Sequence, residues 1–281
     1  METGDPLVTA GWLKQNITAP DIRVVDATWF APFMNPEKSG RETWNEGHIP
    51  GAVYFDIDAI KATNTDLPHM LPDPILFSSR VRKLGIGDGH RVIVYDRNGY
   101  CAAARVWWML RVMGHNDVKV LDGGYAAWLA EGGAVEDLPP VSVERHFTAR
   151  VRSDLVKDAA QVLAASSKGS HAIVDSRPAA RFRGEAPEPR PGLASGHIPG
   201  SLSVPSSELI NADGTLKGVS DLQKLLPDHK APTITSCGSG VAACITALAY
   251  ARLGNWDVAV YDGSWTEWAS DPSRPVATGA A

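Results

Sequence analysis

Cysteine is scarce in this sequence: three residues, Cys101, Cys237 and Cys244, among 281. An odd and low count does not make a disulfide framework. With no C-x-x-C pair and no Cys/His cluster, a zinc site is not expected either. A strong excess of one charge is also missing. The net charge is −5, which argues against nucleic acid as a main partner. No apolar run is long enough to span a membrane. The opening stretch METGDPLVTAGWLKQN has neither the basic-plus-apolar build of a signal peptide nor the arginines of a transit sequence. A cytoplasmic location is therefore the expectation. What is present is ordinary for a soluble globular protein: 44% apolar and 21% charged residues, enough for a sizeable core and for two average domains.

The chain is written twice. VVDATW (24–29) is echoed by IVDSRP (173–178), GHIPGA (47–52) by GHIPGS (196–201), and DGGYAAW (122–128) by DGSWTEW (262–268). Asp26 precedes His48 by 22 residues, and Asp175 precedes His197 by the same 22. Order and spacing match over most of both halves, so a duplicated domain is expected, with a unit far longer than a solenoid repeat. The proline-bearing stretch EDLPPVSVERHF (136–147) reads as the linker. Each half alternates short β-branched runs with helical stretches. IRVVDA, RVIVYD and VKVLDG in the first half correspond to HAIVDS, PTITSC and VAVYDG in the second. Between them lie ILFSSRVRKLG, ARVWWMLRVMG and GVAACITALAYARLG, the last ending at a capping Gly254. This alternation predicts an α/β fold with mainly parallel sheets flanked by helices. Ligands in such sheets bind beyond the carboxyl ends of the strands.

That rule gives the stretch SCGSGVAAC (236–244) its meaning. Cys237 falls between a strand and a helix, in a turn where Gly238 and Gly240 permit tight bending and inward N–H groups. A helix start behind those donors favours an anion, so the position favours the thiolate and a nucleophilic role. Cys244, two turns into an apolar run, reads as core. Cys101 is left open, between an accessory redox site and a neutral substitution.

Two tandem units, each with a D…GHIPG segment, and a single cysteine loop in the second resemble the rhodanese superfamily. Within it, CGSGVAAC, EPEPRPGLASGHIPG, HMLP and DGSWTEW resemble the 3-mercaptopyruvate sulfurtransferases over nearly the whole chain. The resemblance implies two tandem rhodanese-like domains: residues 1–140, catalytically silent because Asp96 stands where Cys237 stands, and residues 141–281, catalytic. It implies transfer of sulfur from 3-mercaptopyruvate to a thiol acceptor such as reduced thioredoxin, or to cyanide, through a Cys237 persulfide, with no metal or organic cofactor. The N–H groups following Cys237, from Gly238 through Gly240, Val241 and Ala242 to Ala243, would cradle the terminal sulfur. Arg181 and Arg190 would bind the donor's carboxylate and keto group. Asp58, His69 and Ser239 match a Ser-His-Asp arrangement, in which the serine hydroxyl would polarise the substrate and shuttle its proton.

Arg183, next to Arg181, reads as a solvated surface arginine, and His48 and His197 read as structural because they recur in both halves. Ala242 departs from the family's usual threonine. Three rivals bear on the same residues. A thiosulfate sulfurtransferase would carry basic residues where Gly238 and Ser239 stand. A cysteine phosphatase needs an arginine six positions after the cysteine, where Ala243 stands. Against a non-catalytic persulfide carrier or binding module, the intact cysteine loop argues only that the chain is no dead scaffold; a dedicated protein acceptor stays open.

Overall fold

The β-branched runs become ten short strands among the residues described, 4–228 and 230–280, in the computed structural model. The first five are β1 (Leu7–Val8), β2 (Ile22–Asp26), β3 (Val53–Tyr54), β4 (Arg91–Tyr95) and β5 (Val118–Leu121). They form one parallel sheet in the order β1-β5-β4-β2-β3. The second five are β6 (Val156–Lys157), β7 (Ala172–Asp175), β8 (Ser201–Ser203), β9 (Thr233–Ser236) and β10 (Ala259–Tyr261). Their sheet is also parallel and repeats the order, β6-β10-β9-β7-β8. Both central strands are buried, as a parallel sheet covered on two faces requires. Register makes the two halves equivalent: Asp26 pairs with Tyr95 in one and Asp175 with Ser236 in the other. The chain therefore leaves β4 at Asp96 and β9 at Cys237 in the same place.

The expected helices form at Pro74–Lys83, Cys101–Val112 and Ala243–Arg252. Asp73 caps the first, accepting from the N–H groups of Ile75 and Leu76 at 2.9 and 3.0 Å. The last stops before Gly254, whose φ of +89° suits a residue without a Cβ. Helices Cys101–Val112 and Ala243–Arg252 follow the two equivalent loops and pack on each other, so a single apolar core runs through both units. Trp107 and Trp108 sit fully buried in it. Truncating either to alanine would cost about 3–5 kcal/mol through the cavity left behind. Arg111 lies over the rings of Trp107 and Trp256, 4.7 and 5.1 Å from their centroids, and donates to the Trp256 carbonyl at 2.8 Å.

The GHIPG histidines do the same work twice. His48 Nδ1 meets the Trp44 carbonyl and His197 Nδ1 the Phe182 carbonyl, each at 2.9 Å, with each ring stacked on that same residue. The connecting segment differs from a free linker. Residues 137–152 carry no helix or strand, and Val141 is 93% exposed, but Phe147 is buried against Phe77 and His115. The His146 carbonyl accepts from Asp88 N at 2.7 Å, and Arg150 N and Arg152 N donate to Met113 and Val112 at 2.9 and 2.7 Å. The chain thus stays on the first unit almost to β6.

Candidate active site between the two units

Cys237, 3% exposed, is the first residue beyond β9. Its N–H donates to Ser264 Oγ at 3.1 Å, and its carbonyl accepts from Trp265 N at 3.0 Å. The Gly238 carbonyl accepts from Thr266 N at 3.0 Å and Thr266 Oγ1 at 2.6 Å. The DGSWTEW repeat thus fixes the carbonyl side of the loop. The N–H groups of residues 238–242 have no acceptor among the described residues. Gly240 has φ +75°, and a Cβ there would lie 2.5 Å from the Asp262 carbonyl oxygen, so only glycine fits this turn. Behind the loop stands the N-terminus of the Ala243–Arg252 helix. Unpartnered N–H groups at a helix start are an anion cradle.

Ser239, 8% exposed, meets a residue from the other unit: its Oγ is 3.2 Å from His69 Nδ1. His69 Nε2 lies 3.4 Å from Asp58 Oδ1, and Asp58 Oδ2 accepts from Trp29 Nε1 at 2.7 Å. Nε2 thus faces the Asp58 carboxylate, and Nδ1 faces the serine hydroxyl. The bond to His69, with that from Trp29, outweighs burial and holds the Asp58 carboxyl down at about 2. Burial lowers the His69 pKa despite the pull of Asp58, which favours neutral imidazole. The three residues matched from the sequence are therefore brought together across the cleft.

Sequence reading missed what holds them. Arg105, fully buried on the Cys101–Val112 helix, donates Nη1 to Asp262 Oδ1 at 2.6 Å and to the Gly240 carbonyl at 3.1 Å. Its Nη2 donates to the His69 carbonyl. Asp262 Oδ2 accepts from Leu71 N at 2.7 Å. One guanidinium thus ties the cysteine loop to the histidine segment. His69 sits at φ +61°, which costs a residue with a Cβ about 1–2 kcal/mol. The bond to its carbonyl helps to hold that conformation.

Arg181 and Arg190 both reach the loop. A Cβ placed on Gly238 would lie 3.3 Å from Arg181 Nη2 and 4.0 Å from Arg190 Nη1. They differ in their partners. Arg181 pairs with Glu188 through Nη2 and, at 3.3 Å, through Nε. Arg190 makes no hydrogen bond or ion pair among the described residues, and burial lowers its pKa while the nearby Cys237 side chain raises it. Arg183 pairs with Glu185 at the surface.

The other thiols are poorly placed for nucleophilic work. Burial, with help from Asp96 and Cys237, pushes Cys101 up to about 12. Cys244 is fully buried and also raised, and its Sγ bonds the Gly240 carbonyl at 3.2 Å. Among the described residues no three His, Cys, Asp or Glu side chains cluster as metal ligands, and no helix is long and apolar enough to cross a membrane.

The profile of the rhodanese-like domain matches residues 9–131 and again 158–271. The chain belongs to the rhodanese family, as a tandem of two such domains. Within that family it is similar to sulfurtransferases named for both donors. It is 43% identical over 278 residues to an Escherichia coli 3-mercaptopyruvate sulfurtransferase, covering 96% of each chain. It is 40% identical over 273 residues to a Rattus norvegicus thiosulfate sulfurtransferase, covering 93% of this chain and 91% of that one. The crystal structure of an Escherichia coli 3-mercaptopyruvate sulfotransferase superposes with a TM-score of 0.85 at 38% identity, covering 93% of this chain and 99% of the other.

Proposed function

We propose that the protein moves the sulfur of 3-mercaptopyruvate to a thiol acceptor through a Cys237 persulfide, releasing pyruvate. Overall identity does not choose the donor, being 43% and 40% to the two kinds of relative. The observation that carries the choice is local. The loop beside Cys237 has no cationic side chain, and Ser239 stands in it with its hydroxyl on His69.

In this reading the guanidinium of Arg190, with Arg181 beside it, takes the donor's carboxylate and keto oxygen. The Cys237 thiolate attacks the donor sulfur. The carbon–sulfur bond breaks, and its electron pair leaves as pyruvate enolate. The donor's thiol proton passes through Ser239 to neutral His69 and returns to the enolate carbon, so no proton is gained or lost. Asp58 steadies the imidazolium formed in between. The outer sulfur of the persulfide rests on the N–H groups of Gly238, Ser239, Gly240, Val241 and Ala242, as an oxyanion rests in its hole. A thiol, small or that of a reduced thioredoxin, then attacks the outer sulfur and Cys237 leaves as thiolate. Cyanide serves in the thiol's place.

By sequence the silent unit is residues 1–140 and the catalytic unit 141–281, although the stretch from Phe147 to Arg152 packs on the first unit. A cytoplasmic location completes the reading. One curated relative, from Arabidopsis thaliana, is named as mitochondrial, so cell fractionation is its test. The second reading is a thiosulfate donor, favoured by the 40% identity to the rat enzyme. Side-by-side kinetics decide between them: mercaptopyruvate should exceed thiosulfate in kcat/KM by at least about tenfold, roughly 1.4 kcal/mol. Equal efficiencies would overturn the donor assignment.

A further inference from the structure

Four charged side chains run in a line from the end of β7 to the mouth of the site. Asp175 accepts from Arg177 Nη2 at 2.7 Å and from Arg177 Nε at 3.0 and 3.1 Å. Arg177 Nη1 donates to Glu188 Oε1 at 2.7 Å. Glu188 accepts from Arg181 on both oxygens. The Arg177 and Glu188 side chains are 1% and 2% exposed, while Arg181, at the end of the line, is 18% exposed. Two carboxylates and two guanidiniums sum to zero. The further arginine of the site, Arg105, is neutralised by Asp262. Arg190 is thus the one uncompensated cation beside Gly238 among the described residues.

Arg177 is secure without Glu188. It has the Asp175 fork, the Gly196 carbonyl at 2.7 Å and the face of Trp265 at 4.3 Å. Glu188, by contrast, turns both its oxygens to Arg181. A buried carboxylate that is not needed to anchor Arg177 still changes the charge of Arg181 as felt by a ligand.

We propose that Glu188 is a specificity-determining residue: by pairing with Arg181 it leaves a single uncompensated guanidinium at the mouth and so selects a singly charged donor over a dianion. The inference rests on the donor reading above and deepens it. A second free cation would attract a dianion about twice as strongly as a monoanion. The extra attraction of one charge at about 6 Å in an effective dielectric near 40 is worth about a factor of ten.

The test is donor kinetics with two variants in the full chain, with thermal melting to monitor folding. Glu188→Gln keeps the shape and removes the charge. It should raise the thiosulfate-to-mercaptopyruvate ratio of kcat/KM about tenfold, with the gain shrinking as salt is added. Sulfate, an unreactive dianion, should compete several-fold better in that variant, whereas pyruvate should change less. Arg181→Gln leaves Glu188 on Arg177 and should move the ratio the other way. A uniform fall for both donors in Glu188→Gln, or shifts of the same sign in both variants, would overturn the proposal. If Glu188→Gln melts out, the Arg181→Gln ratio decides alone, and an unchanged or higher ratio counts against the idea. A wild type without preference for mercaptopyruvate removes the donor reading, whereas a preferring wild type with unshifted variants removes only the role of Glu188.

Discussion

Asp96 and Cys237 occupy the same place in two copies of one fold, and their loops turn at Gly99 and Gly240 with the same φ of +75°. In the first copy the cradle holds part of the protein itself. The Asp96 carboxylate accepts from the N–H groups of Asn98, Tyr100, Ala102 and Ala103 at 2.9–3.3 Å. In the second copy the N–H groups after Cys237 are left for something else. The covering segments correspond as well. Leu71 N donates to Asp262 at 2.7 Å over the cysteine loop, and Leu216 N donates to Asp122 at 2.9 Å over the aspartate loop. The copies part company at Arg105, whose counterpart is Thr246, bonded to Ser176 Oγ at 2.7 Å. Asp122 is instead met by the Tyr100 hydroxyl. The fold thus builds an anion cradle twice. The first unit fills its own and lends Asp58, His69 and Arg105 to the other.

The largest expected effect comes from exchanging the occupants. Cys237→Ser should bring turnover to background, and adding Asp96→Cys should not restore it. Thr28 and Pro32 stand in the first unit where Arg177 and Arg181 stand in the second, and Arg41, at the counterpart of Arg190, lies over the rings of Trp44 and Tyr54. Sulfur transfer by the exchanged variant would break the comparison.

Next come the arginines. Arg190→Ala should cost about 2–5 kcal/mol in kcat/KM, the loss of a desolvated charged contact. Lysine should restore little, lacking the planar fork. Arg181→Ala should cost less, since its guanidinium is already shared with Glu188. Equal losses would contradict the distinction drawn from the ion pairs.

The aspartate cradle has a pH signature. Burial outweighs the four N–H bonds and lifts Asp96 to about 6, above its ordinary value of 3.8. A carboxyl raised on folding contributes stability below the unfolded value that is lost as pH rises through the folded one. Asp96→Asn cannot titrate. The unfolding free energy of the variant relative to wild type should therefore grow by about 3 kcal/mol from about pH 3 to pH 8, most of it between about pH 4 and pH 6. A constant difference across that window would show that the cradle does not strain its carboxylate.

Smaller still is the proton relay. Ser239→Ala should slow mercaptopyruvate turnover about a hundredfold and thiosulfate turnover less. His69→Ala should match it, and the double variant should be little worse than either. Additive losses would remove the coupling. Cys101→Ser and Cys244→Ser should retain most activity, because burial keeps both as thiols.

What the sequence made legible was what repeats or sits in a short motif. The two sheets, the helices after each loop, the GHIPG histidines and the cysteine turn all carry local patterns. His69 and Ser239 were matched through HMLP and CGSGV, and they lie 3.2 Å apart across 170 residues of sequence. The devices that hold the site left no such trace. Arg105 and Asp262 are 157 residues apart, and each looks alone like an ordinary charge on a helix or in a turn. Arg181 and Arg190 look alike by spacing, and only the tertiary position of Glu188 separates them. The linker prolines mark where the units part in sequence. They do not reveal that Phe147 and the backbone of residues 146–152 stay fastened to the first unit.

Sulfur transfer through this site requires that the donor's sulfur reach one particular atom, Cys237 Sγ. Intact-mass and peptide-level analysis of the protein after brief exposure to mercaptopyruvate, without acceptor, measures this directly. One added sulfur on the peptide bearing Cys237, released by a thiol acceptor and lost in Cys237→Ser, is the predicted result. Sulfur on Cys101 or Cys244, or turnover with no sulfur held on Cys237, would contradict it.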